Sequence, residues 1–355
     1  MILLVVIGHT IDHFRGSSHL AKSLYLFIYT FHMPVFVFVS GLFAKKTIRR
    51  KNYPAIYSYA VIYVIMKFTI AVAEYLPKGG DSISLNFFYD KTPAWYALAM
   101  LVFFLVTIRL RCVHPAYLIP ASIILSCIAG YSKLMGDHYV SMRIVSFYPF
   151  FLAGYFLEAE QILFWMNKVW MKILSLCILL STAILCWFWT DTFYPLYRFF
   201  KGAYPYAEMQ NDFGFGLHCF FMRFAWYGFA ALMSFCIMSL IPKGKTPLTA
   251  LGAGTISVFM WHSIFDRVFF RWLKGASLLK AAFPTYYTLT AILIAVIVTV
   301  VLSQPLFARF SRLLITLPIR REKREGRERR RRQMERPSPW RPPDQVGPRD
   351  RHPMG

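Results

Sequence analysis

Ser23-Leu-Tyr-Leu-Phe-Ile-Tyr-Thr-Phe-His-Met-Pro-Val-Phe-Val-Phe-Val-Ser-Gly-Leu-Phe43 runs for 21 residues without an Asp, Glu, Lys or Arg. A helix needs about 20 apolar residues to cross the hydrocarbon core of a bilayer, so this stretch reads as a membrane span. Similar apolar blocks occupy residues 1–14, 54–73, 94–108, 115–130, 146–157, 169–189, 215–241, 255–273 and 286–303. The chain is 57% hydrophobic and only 16% charged, with a mean hydropathy of +0.45. That is too little charge to cover a soluble surface. Period-2 alternation is missing, which argues against a β-barrel. The expected fold is an all-α integral membrane bundle of about ten transmembrane helices over residues 1–303. The blocks at 94–108, 115–130 and 146–157 are short, so tilted or re-entrant passes are expected among them.

The rest of the chain is a basic tail, residues 304–355. From Arg309 onward it carries 15 Lys/Arg against 6 Asp/Glu, and residues 337–355 add six prolines. Such a composition cannot bury enough apolar surface to fold. A polybasic tail beside a last membrane helix suits anionic lipid headgroups. Nucleic acid is not the expected partner, because no aromatic interleaving or folded module accompanies the charge. The six cysteines form no CxxC pair, so neither a metal site nor a disulfide framework is indicated. Lys45, Lys46, Arg49, Arg50 and Lys51 cluster after the second span, which places that loop in the cytoplasm. With ten spans the tail falls on the same side.

Ionisable groups inside apolar spans are expensive and are functional candidates. His9 closes the run Met1-Ile-Leu-Leu-Val-Val-Ile-Gly, and Asp12 and His13 share its helical face. A carboxylate beside an imidazole prepares a general base; otherwise Asp12 and His13 are interfacial residues at the helix end. His32 lies in the second span just before Pro34, which frees a backbone carbonyl near Thr30 and kinks the helix. Its depth overlaps that of His9, and it serves either chemistry or a carbonyl within the bundle. Ser40-Gly41 lets a backbone or a ligand come close. Arg223 and Lys67 are the cations inside spans, fit for phosphates or for snorkelling. Arg143 and Trp95 open spans at the outer face, as substrate contacts or as interface anchors. His262 and Asp266 stand four residues apart on one helix, another imidazole–carboxylate candidate.

In order along the chain come Val-Val-Ile-Gly-His9-Thr, Phe31-His-Met-Pro-Val-Phe-Val-Phe-Val-Ser-Gly41 and Thr92-Pro-Ala-Trp-Tyr96. Arg143 follows with Phe147-Tyr-Pro-Phe-Phe-Leu-Ala-Gly154-Tyr, then Leu251-Gly252 through Ser257 to Trp261-His262-Ser263. Together these resemble the membrane acyltransferase-3 family, and within it the fucose 4-O-acetylase-like branch. The resemblance implies acyl transfer, usually acetyl from cytoplasmic acetyl-CoA, to a hydroxyl of a sugar or lipid-linked glycan in the bacterial cell envelope. It implies the catalytic role for His9; from the residues themselves, Asp12 and His32 are expected beside it, and Ser40, Trp95, Arg143, Arg223 and His262 as substrate contacts. The protein is then expected in the bacterial inner membrane, multi-pass, with acyl-CoA and no metal. The family also carries an arginine eleven positions before that histidine, which here would precede Met1. The first helix therefore reads as truncated at its N-terminus. Two other readings of the same residues are a glycolipid or polysaccharide transporter or flippase, and an inactive membrane scaffold.

Overall fold

The computed structural model describes residues 1–75, 85–87, 89–136, 138, 140–242, 244 and 246–317. Among them the architecture is an up-and-down bundle of helices. Helix α1 (Ile2–Asp12) turns through Phe14 and Ser17 into α2 (His19–Tyr29), whose N-terminus is capped by the Ser18 hydroxyl accepting from the Ala21 N–H. Ser as N-cap satisfies one of the free N–H groups of the first turn. The helix breaks at Thr30 and Phe31 and resumes as α3 (His32–Arg49). Pro34 is the cause: it has no N–H to return to the Thr30 carbonyl.

Helices α4 (Tyr53–Tyr75), α5 (Trp95–Leu110), α6 (Pro115–Ala129) and α7 (Ser141–Phe156) follow, then the short α8 (Ala159–Met166) and α9 (Val169–Phe188). Residues 190–214 then fold as three short helices joined by 3-10 turns: α10 (Thr190–Phe193), α11 (Tyr197–Lys201) and α12 (Gln210–Phe213). The chain continues through α13 (Leu217–Ser239), α14 (Pro247–Ala253), α15 (Thr255–Asp266) with a π-helical extension Arg267–Trp272, α16 (Gly275–Ala282) and α17 (Tyr287–Leu302). Residues Pro305–Leu317 form α18, bent 64° from α17. This stretch, expected to begin a disordered tail, is therefore helical. The rest of the basic tail lies outside the described residues.

Among the described residues, four helices are long and apolar enough to cross a membrane: the broken helix His19–Arg49, α4, α9 and α13. The bent pair α17–α18 makes a fifth if counted as one span. That corrects the expectation of ten. Each apolar block lies on helix, but helix ends rather than apolar runs set the usable length. At 16 and 15 residues, α5 and α6 reach about 24 and 22 Å at 1.5 Å per residue, short of a hydrocarbon core of about 30 Å. The orientation inferred from an even number of spans loses its basis with them.

The bundle has two chemically distinct ends. One gathers Lys45, Arg49, Lys51, Arg109, Arg111 and Lys168, and there Lys45 donates to Glu158 at 2.8 Å. The other carries Asp12, Arg15, Lys22, Asp191, Arg198 and Asp212 in three ion pairs: Arg15–Asp12 at 2.8 Å, Lys22–Asp191 at 2.5 Å and Arg198–Asp212 at 3.0 Å. Lys22 holds the Asp191 carboxyl below its ordinary value through this hydrogen bond, so the pair is ionised at neutral pH. Between the ends, α9 turns Ile173, Leu176, Leu180 and Ile184 outward. An exposed apolar stripe of that length is a lipid-facing surface.

The tightest crossing joins α3 to α7. A Cβ on Gly41 would sit 2.2 Å from the Phe151 carbonyl oxygen, and one on Gly154 would sit 2.0 Å from that of Phe38. The close approach noted at Ser40-Gly41 is thus filled by a neighbouring backbone, and Gly154 of the second motif is its counterpart. Small residues allow this contact in an apolar medium, where packing drives association. Gly41→Ala and Gly154→Ala should each force the helices apart, at a cost at or above the ~1–3 kcal/mol of ordinary overpacking. A lowered melting temperature (Tm) of the purified protein in detergent checks this; an unchanged Tm in both variants would refute the crossing.

Candidate active site

His9 lies on the last turn of α1, facing α15, and is half-buried. Its ring centroid is 5.4 Å from that of His262, with the planes 41° apart. His262 Nδ1–H donates to the Val258 carbonyl at 2.9 Å, and His32 Nδ1–H donates to Ile28 at 3.0 Å. A carbonyl only accepts, so in both neutral rings Nε2 is left as the acceptor. For His32 this is the structural option: its side chain satisfies a carbonyl at the break that Pro34 creates. His262 is different. Its Nε2 is buried with no hydrogen-bond partner among the described residues. His9 itself makes no side-chain hydrogen bond within the described residues, while His32, His262, Lys201 and Arg267 all lie within its electrostatic reach.

The carboxylates do not pair as the sequence suggested. Asp12 turns to Arg15 instead of His9. Asp266 bonds His13 Nε2 at 2.9 Å, across two helices, and not the His262 ring one turn away. His13 is further held by stacking on Phe270, with centroids 4.5 Å apart. The two contacts of His13 brace the end of α1 against α15 and its π-helical extension.

A cavity of about 910 Å³ approaches from the basic end. Its walls include Leu4, Ser40, Tyr96, Gly252, Phe259 and Arg312. Phe259 bridges to the imidazoles, its ring 5.4 Å from Tyr96 and 6.4 Å from His262. From the opposite end, Tyr25 and Tyr29 of α2 stack at 4.0 Å, and Tyr29 meets the His32 ring edge-on at 4.4 Å. The imidazole cluster thus stands between a largely apolar cavity and a buried group of stacked tyrosines.

A family model described as an acyltransferase domain, Acyl_transf_3, matches residues 1–307. The chain belongs to the acyltransferase-3 family. No curated protein and no solved structure matches it. The match covers every element of the bundle up to the start of α18, and it assigns acyltransferase activity to the domain in which His9 lies.

Within this acyltransferase the remaining candidates separate into wall and scaffold. Ser40 donates to the Phe36 carbonyl at 2.8 Å and sits 2.6 Å from the Tyr96 hydroxyl. Its proton is thus committed, and it tethers Tyr96 at the cavity wall. Trp95 stacks on Phe147 at 5.4 Å, and the Arg143 guanidinium lies over its other neighbourhood at 5.4 Å while donating to the Asp90 carbonyl. Burial pushes the Asp90 carboxyl up from its ordinary value. Lys67 donates to the Tyr89 carbonyl at 3.0 Å and lies 3.8 Å from that carboxyl, so it neither snorkels nor reaches the cavity.

Arg223 is 1% exposed, and its two terminal nitrogens are engaged in structure. It donates to Ser146 Oγ at 3.2 Å and to the Tyr204 carbonyl at 2.8 Å, and lies over the Tyr206 ring at 4.8 Å. It ties α13 and α7 to residues 197–209 and touches neither space, so the expected substrate contact is not its position. Sequence reasoning missed Arg267, which is 5% exposed, bonds Glu74 at 2.9 Å and stands near His9. The π-turn starting at Arg267 has no periodicity signal, although such turns gather at functional sites. It also missed Lys201 and the tyrosines of 194–204, whose segment read only as a loop.

Arg223→Met should lower the Tm of the purified protein, since each hydrogen bond from a charged group is worth about 1.5–3 kcal/mol. Arg223→Lys should recover only part of the loss, because one ammonium cannot hold Ser146 and Tyr204 together. Wild-type Tm in Arg223→Met would sink the clamp.

Proposed function

We propose that the protein is a membrane-bound O-acyltransferase that moves an acetyl group from acetyl-CoA to a sugar hydroxyl of a cell-envelope glycan, with His9 as general base. One observation carries this reading: an imidazole with no hydrogen bond among the described residues stands beside a second imidazole, above a cavity that approaches from the basic end. A sugar hydroxyl is a weak nucleophile. It attacks the thioester carbonyl once its proton has somewhere to go, and a neutral imidazole takes it, typically for 10²–10⁴-fold in rate. The His9 proton then passes to the departing thiolate, and the ester forms as the C–S bond breaks. Arg267 and Lys201 supply nearby positive charge for the oxyanion.

The roles of the two ends follow from charge. Excess Lys/Arg marks the cytoplasmic face, so the basic end faces the cytoplasm of a bacterium and the cavity admits acyl-CoA from there. Arg312 lines the cavity, and Lys45, Arg49 and Arg109 lie at the same end of the bundle; these cations suit the CoA phosphates. The opposite end of the bundle then faces the outer side of the inner membrane, where a sugar or lipid-linked glycan acceptor arrives. The fucose 4-O-acetylase-like motifs favour a sugar acceptor, and the basic tail suits anionic headgroups on the cytoplasmic side.

Membranes given radiolabelled acetyl-CoA should yield labelled glycan, and His9→Ala should remove the label. Unlabelled glycan in the wild type refutes the reading. Gly252 gives a test of the donor side: it lines the cavity, and a Cβ built there meets nothing within 4 Å among the described residues. Gly252→Phe should raise the KM for acetyl-CoA while leaving Tm in place; an unchanged KM would move the donor elsewhere.

A further inference from the structure

The Nε2 atom of His262 is a buried acceptor that the acyl-transfer steps above leave unused. His262 is 2% exposed. Its Nδ1–H donates to the Val258 carbonyl at 2.9 Å, so the neutral ring carries a lone pair and no proton at Nε2. That lone pair is buried and has no hydrogen-bond partner among the described residues. An unmet acceptor in apolar surroundings costs free energy. The ring beside it is that of His9, with centroids 5.4 Å apart and planes 41° from parallel.

The two nitrogens of an imidazole base have different tasks. One offers its lone pair to the substrate hydroxyl, while the other keeps its N–H and needs an acceptor to fix the tautomer. In a serine–histidine–aspartate triad a carboxylate fills that place. Here the two nearby carboxylates are taken, since Asp12 holds Arg15 at 2.8 Å and Asp266 holds His13 at 2.9 Å. His32 turns its ring to the edge of Tyr29, at 4.4 Å. The unmet acceptor on His262 and the unmet donor on His9 are thus neighbours. A turn of the His9 ring brings them together, and catalytic hydrogen bonds are commonly long until substrate binds. A neutral acceptor also suits an apolar bundle, where a further buried carboxylate would have to be desolvated.

We propose that His262 is the positioning residue of the acyl transfer: its Nε2 accepts the N–H of His9 and so leaves the other His9 nitrogen as the base. The chain of bonds then runs from His9 N–H to His262 Nε2, and from His262 Nδ1–H to the Val258 carbonyl. A backbone carbonyl one turn back on α15 thereby sets the tautomer of the base. When His9 takes the hydroxyl proton, its imidazolium keeps this acceptor until the proton passes to the departing thiolate. No proton moves to His262. The catalytic part of this role rests on the acyl-transfer reading, whereas the pairing of the two rings does not.

Two measurements test the pair. In the first, kcat and KM for acetyl-CoA are read from initial rates of glycan labelling in membranes holding equal amounts of folded protein. His262→Phe keeps a flat ring and removes both nitrogens. It should lower kcat by roughly tenfold or more and leave KM in place. His262→Gln should recover part of the loss, because its amide oxygen can stand where Nε2 stood. The second measurement needs no acyl donor: the full-length protein, labelled with ¹⁵N-histidine and reconstituted in bilayers, is followed by solid-state NMR, with His9→Ala assigning the His9 signals. The expected result is one neutral His9 tautomer in the wild type and a mixture in His262→Phe. Full kcat in His262→Phe, a raised KM in place of the lowered kcat, or two His9 tautomers in the wild type would each overturn the proposal. A His9 tautomer that follows His262 in a protein that labels no glycan would support the pair and remove only its role in acyl transfer.

Discussion

A polar group buried among apolar helices must find its partner inside the protein, since no water is at hand to replace one. That constraint orders most of the molecule. Pro34 leaves a backbone carbonyl near the break between α2 and α3 unsatisfied, and the His32 ring supplies a donor at the same break. Arg223 spreads its N–H groups over Ser146 and the Tyr204 carbonyl, which fixes the short helices of residues 190–214 over the end of the bundle. Lys67 and Arg267 are likewise anchored, to Asp90 with Tyr89 and to Glu74 with Ser263. Once these groups are satisfied, what remains is informative. Among the buried polar atoms without a hydrogen-bond partner in the described residues, the Nε2 of His262 is the one that lies on a ring next to His9.

The glycine crossing of α3 and α7 decides where the open groups can be reached. Holding these backbones in contact brings Ser40 under Tyr96 and Trp95 against Phe147, so the Ser40–Tyr96 wall of the cavity is set by this crossing. The His9 helix packs against the far side. His9 stands three residues before Asp12 on α1, toward the end opposite the basic one.

His9, His32 and His262 were all legible as polar residues in apolar runs, and the spacing of Gly41 after Ser40 pointed to a close approach. The pairing of carboxylates was not. Asp12 and Asp266 each have an imidazole one helical turn away, yet Asp12 pairs with Arg15 beyond it and Asp266 crosses to His13. Helical spacing says which side chains are neighbours, while the choice between neighbours on the same and on adjacent helices depends on how the helices pack. Arg223 was read as a substrate contact because buried cations are rare; its partners come from residues 146 and 204, distant in sequence, and make it a clamp. Lys201 and Tyr197 carried no signal at all, since nothing in a loop composition announces that it will fold back over α2.

By itself the sequence determined the medium and the material: a helical membrane protein, histidines inside it, an excess of positive charge at one end, and motifs matching an acyltransferase family. These follow from composition and from local periodicity, which act over a few residues. Only the tertiary structure decided which apolar runs make helices long enough to cross, which cations are structural, and that the His9 ring meets His262 between a cavity and a ring of tyrosines. Those outcomes depend on contacts between residues some 250 positions apart, such as His13 with Asp266, and their geometry exists only once the helices have packed.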